Sequence, residues 1–431
     1  MKARSDISQQ DATVERMPTP LRVLYLHMDG AFSGSARSLY EAVRGFPPGR
    51  VQPVFVVPQG TAATFFAGLG IVVQSRGLAK FDNTAYSHYR GARWLVVLRE
   101  LAYVPATVRA LREAKKVRRE VDLVHVNDAT GLVALWLSRL VFDVPAVVHV
   151  RSVLRKSDAS WRTRWVEWML RTRADAVVAI DETVRASLPA AVTAYVIHNT
   201  FSPTAASGAD ASLDIRLGGL RPGSFRVGFV GNLLRVKGIF EFLEAARLVL
   251  AAGIDADFII VGGDIRPSRG LAPRVLRMLG LSQDSRTEVE AFLDKYSLRE
   301  RVHLVGFTAD IGRAFREMGV LCFPSHLDAP GRPIFEAAFH GVPSIVAIRN
   351  PMPDALIHGE TGLAIEARSA TQLATAIERL ARDPAAARRM GEAARKLAER
   401  NFDVQRNAGL LLGVYERVRL ARTRSAQMTR A

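Results

Sequence analysis

The sequence predicts an α/β protein made of two doubly wound, mostly parallel sheets that face each other across a cleft. Three observations carry this reading. Short apolar runs alternate with helix-period stretches along the whole chain, as in parallel sheets covered by crossover helices. The alternation stops once, at 202–223, in a segment rich in Ser, Ala, Gly, Pro and Asp, and then begins again. A chain of 431 residues is also long enough for two domains with full cores.

Residues 1–20 are polar, carry prolines and lack the apolar segment of a signal peptide, so they read as a disordered leader. The N-terminal domain, 21–201, opens on a strand at 21–26. Further strands are expected at 51–57, 70–73, 123–126, 146–150 and 176–180, where apolar residues run without a helical period. Helical patterns fall at 36–43, 92–119, 131–140 and 161–171. After the linker, 202–223, the C-terminal domain spans 224–402, with strands expected at 225–231, 258–261, 302–305, 320–323, 344–346 and 362–365. Helices at 371–399 and 403–420 close the chain, and 403–431 forms a separate helix and tail.

Lys and Arg number 59 against 42 Asp and Glu, a formal charge of +17, which draws the chain to anionic partners. Two stretches concentrate that charge. From Arg90 to Arg119 there are nine basic residues against two acids, and from Arg151 to Arg173 seven against two. Trp161, Trp165 and Trp168 are spaced i, i+4, i+7 and share one helical face. Basic residues with interfacial aromatics suit a helix lying on anionic lipid; tryptophans in a core beneath a solvated charged face are the alternative. No recognised nucleic-acid motif accompanies the charge, so nucleic acid is not expected as a partner. The most apolar long stretch, 132–150, is broken by Arg139 and Asp143, and no transmembrane helix is expected. Cys322 is the single cysteine, which excludes an internal disulfide and fits a reducing compartment. No His/Cys cluster suggests a metal. Asp255-Ala256-Asp257 precedes a strand and reads as a helix-to-strand turn.

The most informative stretch runs from Phe323 to Glu336, Phe-Pro-Ser-His-Leu-Asp-Ala-Pro-Gly-Arg-Pro-Ile-Phe-Glu. A buried strand leads into a loop carrying Asp328, and the loop into a helix carrying Glu336. Pro333 suits the first helical position, where its missing N–H costs nothing. The amides near Gly331 and Arg332 then stand at the positive end of a helix dipole, a phosphate or diphosphate site. Asp328 and Glu336, eight positions apart, resemble the acidic pair of the retaining GT-B glycosyltransferases of family 4, with Asp where Glu is commoner at the first position. The resemblance covers roughly residues 21–420. It implies that Glu336 binds the ribose hydroxyls of a nucleotide, that Asp328 lies by the transferred sugar, and that the last helix crosses back to the first domain.

Other segments extend the resemblance. Gly231-Asn232-Leu233-Leu234-Arg235-Val236-Lys237-Gly238 is similar to the family's Gly-Arg-Leu-x-x-x-Lys-Gly, whose Arg and Lys neutralise the donor diphosphate. Lys237 is kept, Asn232 replaces the arginine, and Arg235 is the candidate to supply its charge. The small-residue loop after the first strand, with Gly34 and Ser35, looks like the family's loop between acceptor and donor phosphate. His149 is placed by the resemblance close to the transferred sugar. Arg151, two residues on, shares its strand face, and Arg151 and His27 fall on the acceptor side; a core histidine is the alternative for His149. Asn199 belongs to a hinge segment, and Gly263 and Phe307 to segments lining the base pocket.

The expected function is therefore a retaining, hexosyl-type glycosyltransferase. Its catalytic candidates are Lys237, Arg235, His149 and Asp328. Its donor-binding candidates are Glu336, Gly331, Arg332, Pro333, Gly231, Asn232, Gly34, Ser35, Gly263 and Phe307. No metal or other cofactor is expected. The acceptor is read as a lipid-linked or envelope glycan such as a polysaccharide or lipopolysaccharide, with the protein in peripheral contact with anionic lipid on the inner face of the cytoplasmic membrane. Two other readings stay open: a nucleotide-sugar epimerase of the same fold, and a non-catalytic nucleotide-sugar binder, suggested by Asn232 and Asp328.

Overall fold

The computed structural model describes residues 19–85, 95–155, 160–203, 211–262, 285–308 and 310–428. The leader up to residue 18, Trp94, most of the basic insertion after Val261 with Gly263, and linker residues 204–210 lie outside the described residues.

Seven strands build the first sheet: β1 (Leu21–Leu26), β2 (Val51–Pro58), β3 (Ile71–Ser75), β4 (Leu123–Val126), β5 (Ala146–Val150), β6 (Ala176–Ala179) and β7 (Tyr195–Val196). Their order is β3-β2-β1-β4-β5-β6-β7, and every pair is parallel. The second sheet holds β8 (Phe225–Val230), β9 (Ala256–Val261), β10 (Val302–Gly306), β11 (Val320–Phe323), β12 (Ser344–Ala347) and β13 (Gly362–Ile365). Its order, β10-β9-β8-β11-β12-β13, is again wholly parallel. Both sheets reverse direction of growth at their first strand, between β1 and β4 and between β8 and β11. Loops leaving neighbouring strands diverge there, which opens a crevice at the carboxyl ends.

The helices of the first domain are α1 (Gly34–Arg44), α2 (Thr61–Ala67), α3 (Leu95–Ala102), α4 (Val104–Val117), α5 (Leu132–Ser138), α6 (Trp161–Thr172) and α7 (Glu182–Ser187). Those of the second are α8 (Ala211–Leu217), α9 (Ile239–Ala251), α10 (Ser285–Lys295), α11 (Ile311–Arg316), α12 (Arg332–Phe339), α13 (Ala370–Arg382), α14 (Pro384–Asn401) and α15 (Val404–Met428). Three differ from the sequence expectation for clear reasons. The 92–119 pattern becomes α3 and α4, with Pro105 in the first turn of the second helix. The 371–399 pattern breaks where Asp383 caps α14 by accepting the Ala386 amide at 2.9 Å and Pro384 starts the new helix. The soft segment contains α8, whose Leu213 and Leu217 are buried beside Ile259 and Phe315. Two apolar residues four apart were a weak signal among so many polar ones.

Alternation along β1 divides the first core. Leu24 and Leu26 face helices α4, α5 and α6, while Val23 and Tyr25 face α1 and α15. Helix α15 buries Ala408, Leu411, Leu412, Tyr415 and Val418 on that second face, so the last helix does cross back to the first domain. Its Tyr415 hydroxyl lies 2.8 Å from His125 Nδ1 in the core. The chain passes between domains twice, side by side: Phe201 N–H donates to the Phe402 carbonyl at 3.1 Å, and Phe335 stacks on Phe402 at 4.4 Å.

The three tryptophans of α6 do not act as one face. Trp165 packs on Phe81 at 4.4 Å against the core, whereas Trp161 and Trp168 are 62% and 44% exposed. The helical spacing is right, but the stripe straddles the edge of the buried side. β9 begins at Ala256, so Ala256 and Asp257 lie in the strand that the motif was expected to precede; Asp257 is wholly buried and accepts from the Arg221 amide (2.8 Å) and Ser224 Oγ (2.7 Å), so its carboxylate is engaged within the fold.

Candidate functional site

In the second domain, the loops after β8 and β11 lock together. Gly238 adopts φ +80°, and a Cβ there would strike the Pro324 carbonyl, so only glycine fits. His326 N–H donates to the Val236 carbonyl at 3.0 Å, and His326 Nε2 lies 2.8 Å from Glu241 Oε1. This sets Lys237 with its ammonium 5.9 Å from the centre of the Phe323 ring. The same ring packs on Gly331, where a side chain would collide with it. Lys237 thus stands next to the amino end of α12. It is half-buried, burial lowers its pKa, and among the described residues no carboxylate pairs with it.

Gly331 caps α12, and Pro333 takes the second helical position where the sequence suggested the first. Glu336 is only 3% exposed; its Oε1 accepts from Arg332 Nε at 2.5 Å and lies 3.8 Å from Arg37 Nη1. Asp328, at φ +45°, accepts from the Arg349 amide (2.9 Å) and Arg349 Nε (3.0 Å), which ties it to the loop after β12. Arg235 does not stand in for the arginine missing at Asn232. It is exposed, pairs with Glu288 and stacks over Phe240 at 4.2 Å, so its charge is already met. Asn232 is exposed, Gly231 directly follows β8, and Phe307 is an exposed ring just past β10.

In the first domain, the carboxyl ends of β1, β4 and β5 bring a polar cluster together. Asn127 is its hub. Its amide nitrogen lies 2.9 Å from His27 Nδ1 and donates to the Ser35 carbonyl at 3.2 Å, and its oxygen accepts from Arg151 Nε at 2.6 Å. Gly34 and Ser35 form the first turn of α1, two residues earlier than expected. Arg151 also donates to Asn199 Oδ1 at 2.7 Å and approaches His149 Nδ1 at 3.3 Å. His149 itself is buried beside His125 at 5.5 Å, deeper in the core than Arg151. Burial and the nearby guanidinium hold its pKa well below the usual value. The structure thus gives His149 the place of a core support for Arg151, behind the cleft wall. His27 is likewise neutral, its pKa pushed down to about 4 by burial.

Arg332 joins the two halves. It donates to Glu336 in its own helix and, across the interface, to Ser38 Oγ (2.9 Å) and Glu41 Oε2 (2.6 Å) of α1, with the Thr200 carbonyl at 3.4 Å. Burial would lower its pKa, but Glu336 and Glu41 hold it above the ordinary value. The hinge carries a second cross-domain bond, His198 Nε2 to Asp354 Oδ2 at 2.8 Å. Sequence reasoning missed Arg37, Glu41, Asn127 and Arg349. Only Asn127, directly after a buried strand, carried a usable signal: the carboxyl-end rule.

The comparisons with known proteins agree with this fold. A family profile described as glycosyl transferases group 1 matches residues 215–397, and one described as glycosyltransferase family 4 matches residues 32–204. The alpha-D-kanosaminyltransferase of Streptomyces kanamyceticus is 26% identical over 336 residues, covering 72% of this chain and 81% of that protein. The capsular polysaccharide biosynthesis glycosyltransferase CapM of Staphylococcus aureus is 24% identical over 182 residues, 42% of this chain and 43% of its own length. Anabaena HepE, solved in complex with UDP and glucose, superposes with a TM-score of 0.70 at 18% identity, over 92% of this chain and 99% of that one.

The Arg332 clamp leads to a direct expectation. Glu41→Gln removes one carboxylate from a buried guanidinium and should lower stability by about 1–3 kcal/mol, read as a lower unfolding temperature. An unchanged temperature would show that the cross-domain pair contributes nothing.

Proposed function

Since the chain belongs to the GT4-type glycosyltransferases of GT-B fold, we propose that its C-terminal domain holds a nucleotide-sugar donor and its N-terminal domain the sugar acceptor. Lys237 carries this reading: a half-buried ammonium without a carboxylate partner among the described residues, next to the amino end of α12. A cation left so is costly unless an anion arrives, and the α12 amides favour the same anion.

In this scheme the bond from the anomeric carbon to the diphosphate oxygen breaks. An acceptor hydroxyl oxygen forms the new bond, with retention of configuration, and its proton passes to the departing nucleoside diphosphate. Lys237 and the amides near Gly331 stabilise the charge that grows on the leaving oxygen. Glu336 accepts the ribose hydroxyls, Asp328 lies by the transferred hexosyl group, and Phe307 with Gly231 backs the base. Protein groups meet the diphosphate's charge, without a metal ion. The complex of HepE with UDP and glucose supports a uridine nucleotide-sugar as donor. The part of CapM in capsular polysaccharide synthesis supports an envelope glycan as acceptor.

The same reading places the protein on the inner face of the cytoplasmic membrane. Among the described residues no helix is long and apolar enough to cross one. Helices α3 to α6 instead expose Leu98, Leu101, Trp136, Trp161 and Trp168, and Arg112, Lys115, Lys116 and Arg119 line an open basic hollow of about 420 Å³ on and just beyond α4. Apolar anchors amid cations suit peripheral, reversible binding to anionic lipid, at about 1 kcal/mol for each basic residue near the surface.

Lys237→Ala should lower turnover far more than donor affinity, because its charge matters most in the transition state; a rise in KM alone would contradict the assignment. Glu336→Gln should weaken nucleotide binding by about 1–3 kcal/mol with the fold intact, and an unchanged affinity in calorimetry would remove Glu336 from the ribose site. On vesicles of anionic lipid the protein should co-sediment at low salt and be released as salt shortens the screening length. Protein that stays in the supernatant at low salt would turn the acceptor toward a soluble molecule.

A further inference from the structure

Arg151 is shielded from water yet not sealed, and the acid that acts on its charge, Asp128, makes no ion pair with its guanidinium. Its three hydrogen-bond partners are the side-chain oxygens of Asn127 and Asn199, at 2.6 and 2.7 Å, and His149 Nδ1 at 3.3 Å. All three are neutral, His149 because burial holds its pKa far down. Asp128 is the nearby acid, but its carboxylate is spent elsewhere. It accepts from the Arg151 main-chain amide (3.1 Å), the Ala129 amide (2.7 Å) and Ser152 Oγ (3.0 Å). Among the described residues no carboxylate comes within ion-pair distance of the guanidinium. The contrast with Arg332, equally deep and held by two carboxylates, is direct.

A guanidinium has five donors, and these contacts use three. Burial pushes the Arg151 pKa down to about 10, which still leaves it charged at neutral pH. Asn199, one of its partners, lines the gap between the domains together with Pro330 and Gly331. A second donor also lacks an acceptor. The Asn127 amide donates to His27 Nδ1, so the His27 proton sits on Nε2, and that nitrogen is buried without a partner. A shielded cation with spare donors, neutral supports and an opening to a cleft is arranged to receive an oxyanion.

Building on the reading that the N-terminal domain holds the acceptor, we infer that Arg151 binds an anionic group, phosphate or carboxylate, carried into the cleft by the acceptor. The acceptor is then an acidic or phosphorylated glycan or glycolipid, and a neutral sugar lacking such a group would forfeit this contact. The donor's diphosphate is the other possible source of an oxyanion, and the test separates the two.

The test is calorimetry with uridine diphosphate, followed by inorganic phosphate added to the nucleotide-saturated protein. Wild-type protein should bind phosphate while saturated with nucleotide. Arg151→Gln should weaken that binding at least tenfold, Arg151→Lys less, and both should keep the nucleotide affinity within about twofold. Asn127→Asp puts a carboxylate beside the guanidinium and should abolish phosphate binding with the arginine still present. Circular dichroism checks each fold, and if Arg151→Gln fails to fold, the lysine and Asn127 variants decide. Loss of nucleotide affinity in Arg151→Gln, with no phosphate bound by the saturated wild type, assigns the arginine to the donor and overturns the inference. Unchanged phosphate binding in all variants overturns it too. Failure of the wild type to bind the nucleotide would instead sink the donor assignment of the C-terminal domain.

Discussion

A guanidinium taken out of water must be met by charge, and Arg332 meets this condition with carboxylates from both domains. Glu336 belongs to its own helix and Glu41 to the first helix of the other domain. Phe201 and Phe335 flank the same group at 5.8 and 5.4 Å, so its apolar faces are covered as well. One residue in the loop-to-helix segment that also carries the proposed donor site thus binds both domains, alongside the Phe201–Phe402 and His198–Asp354 contacts of the chain crossings. Any ligand that engages Glu336 competes for, or is oriented by, the same arginine. In the proposed donor site, ligand binding and domain docking would share a carboxylate, a physical basis for coupling occupancy of the site to the docking of the domains.

The hinge has the same economy. Two chain crossings lie side by side through Phe201 and Phe402, and His198 bonds Asp354 across them. Asp181 sits close by with its carboxyl pushed up to about 6 by burial, while the His198 bond holds Asp354 low against the burial that would raise it. The joint combines stacked rings with Asp354, which meets His198 and also accepts from the Glu182 amide at 2.9 Å.

Deeper in the first domain, Tyr415 of the crossing helix bonds His125, and His125 lies against His149, which supports Arg151. The last helix of the chain thus reaches the cleft wall through a line of neutral, buried polar groups. Closing the chain on the first domain does more than cover its sheet: it sets the support on which the cleft arginine rests.

The family resemblance supplied the crossing of the last helix; the sequence by itself determined the two parallel sheets, all but one short edge strand, and the strand, loop and helix that lead to Glu336. These are local facts, since strands announce themselves by apolar runs, and the loop-to-helix segment by its proline, glycine and spaced acids. Where local signals competed, as with the soft segment that hides α8 or the pattern split by Pro384, the sequence misplaced boundaries. Only the tertiary structure decided which charges are free. Arg235 looked available and is paired with Glu288, while Arg332, read only as part of a phosphate loop, holds the domains together. Trp165 looked interfacial and belongs to the core, and His149 looked catalytic and lies behind Arg151. A residue's type fixes what charge or hydrogen bonds it can offer. Whether that capacity is spent inside the fold or left for a ligand depends on partners tens to hundreds of residues away, which no spacing along the chain records.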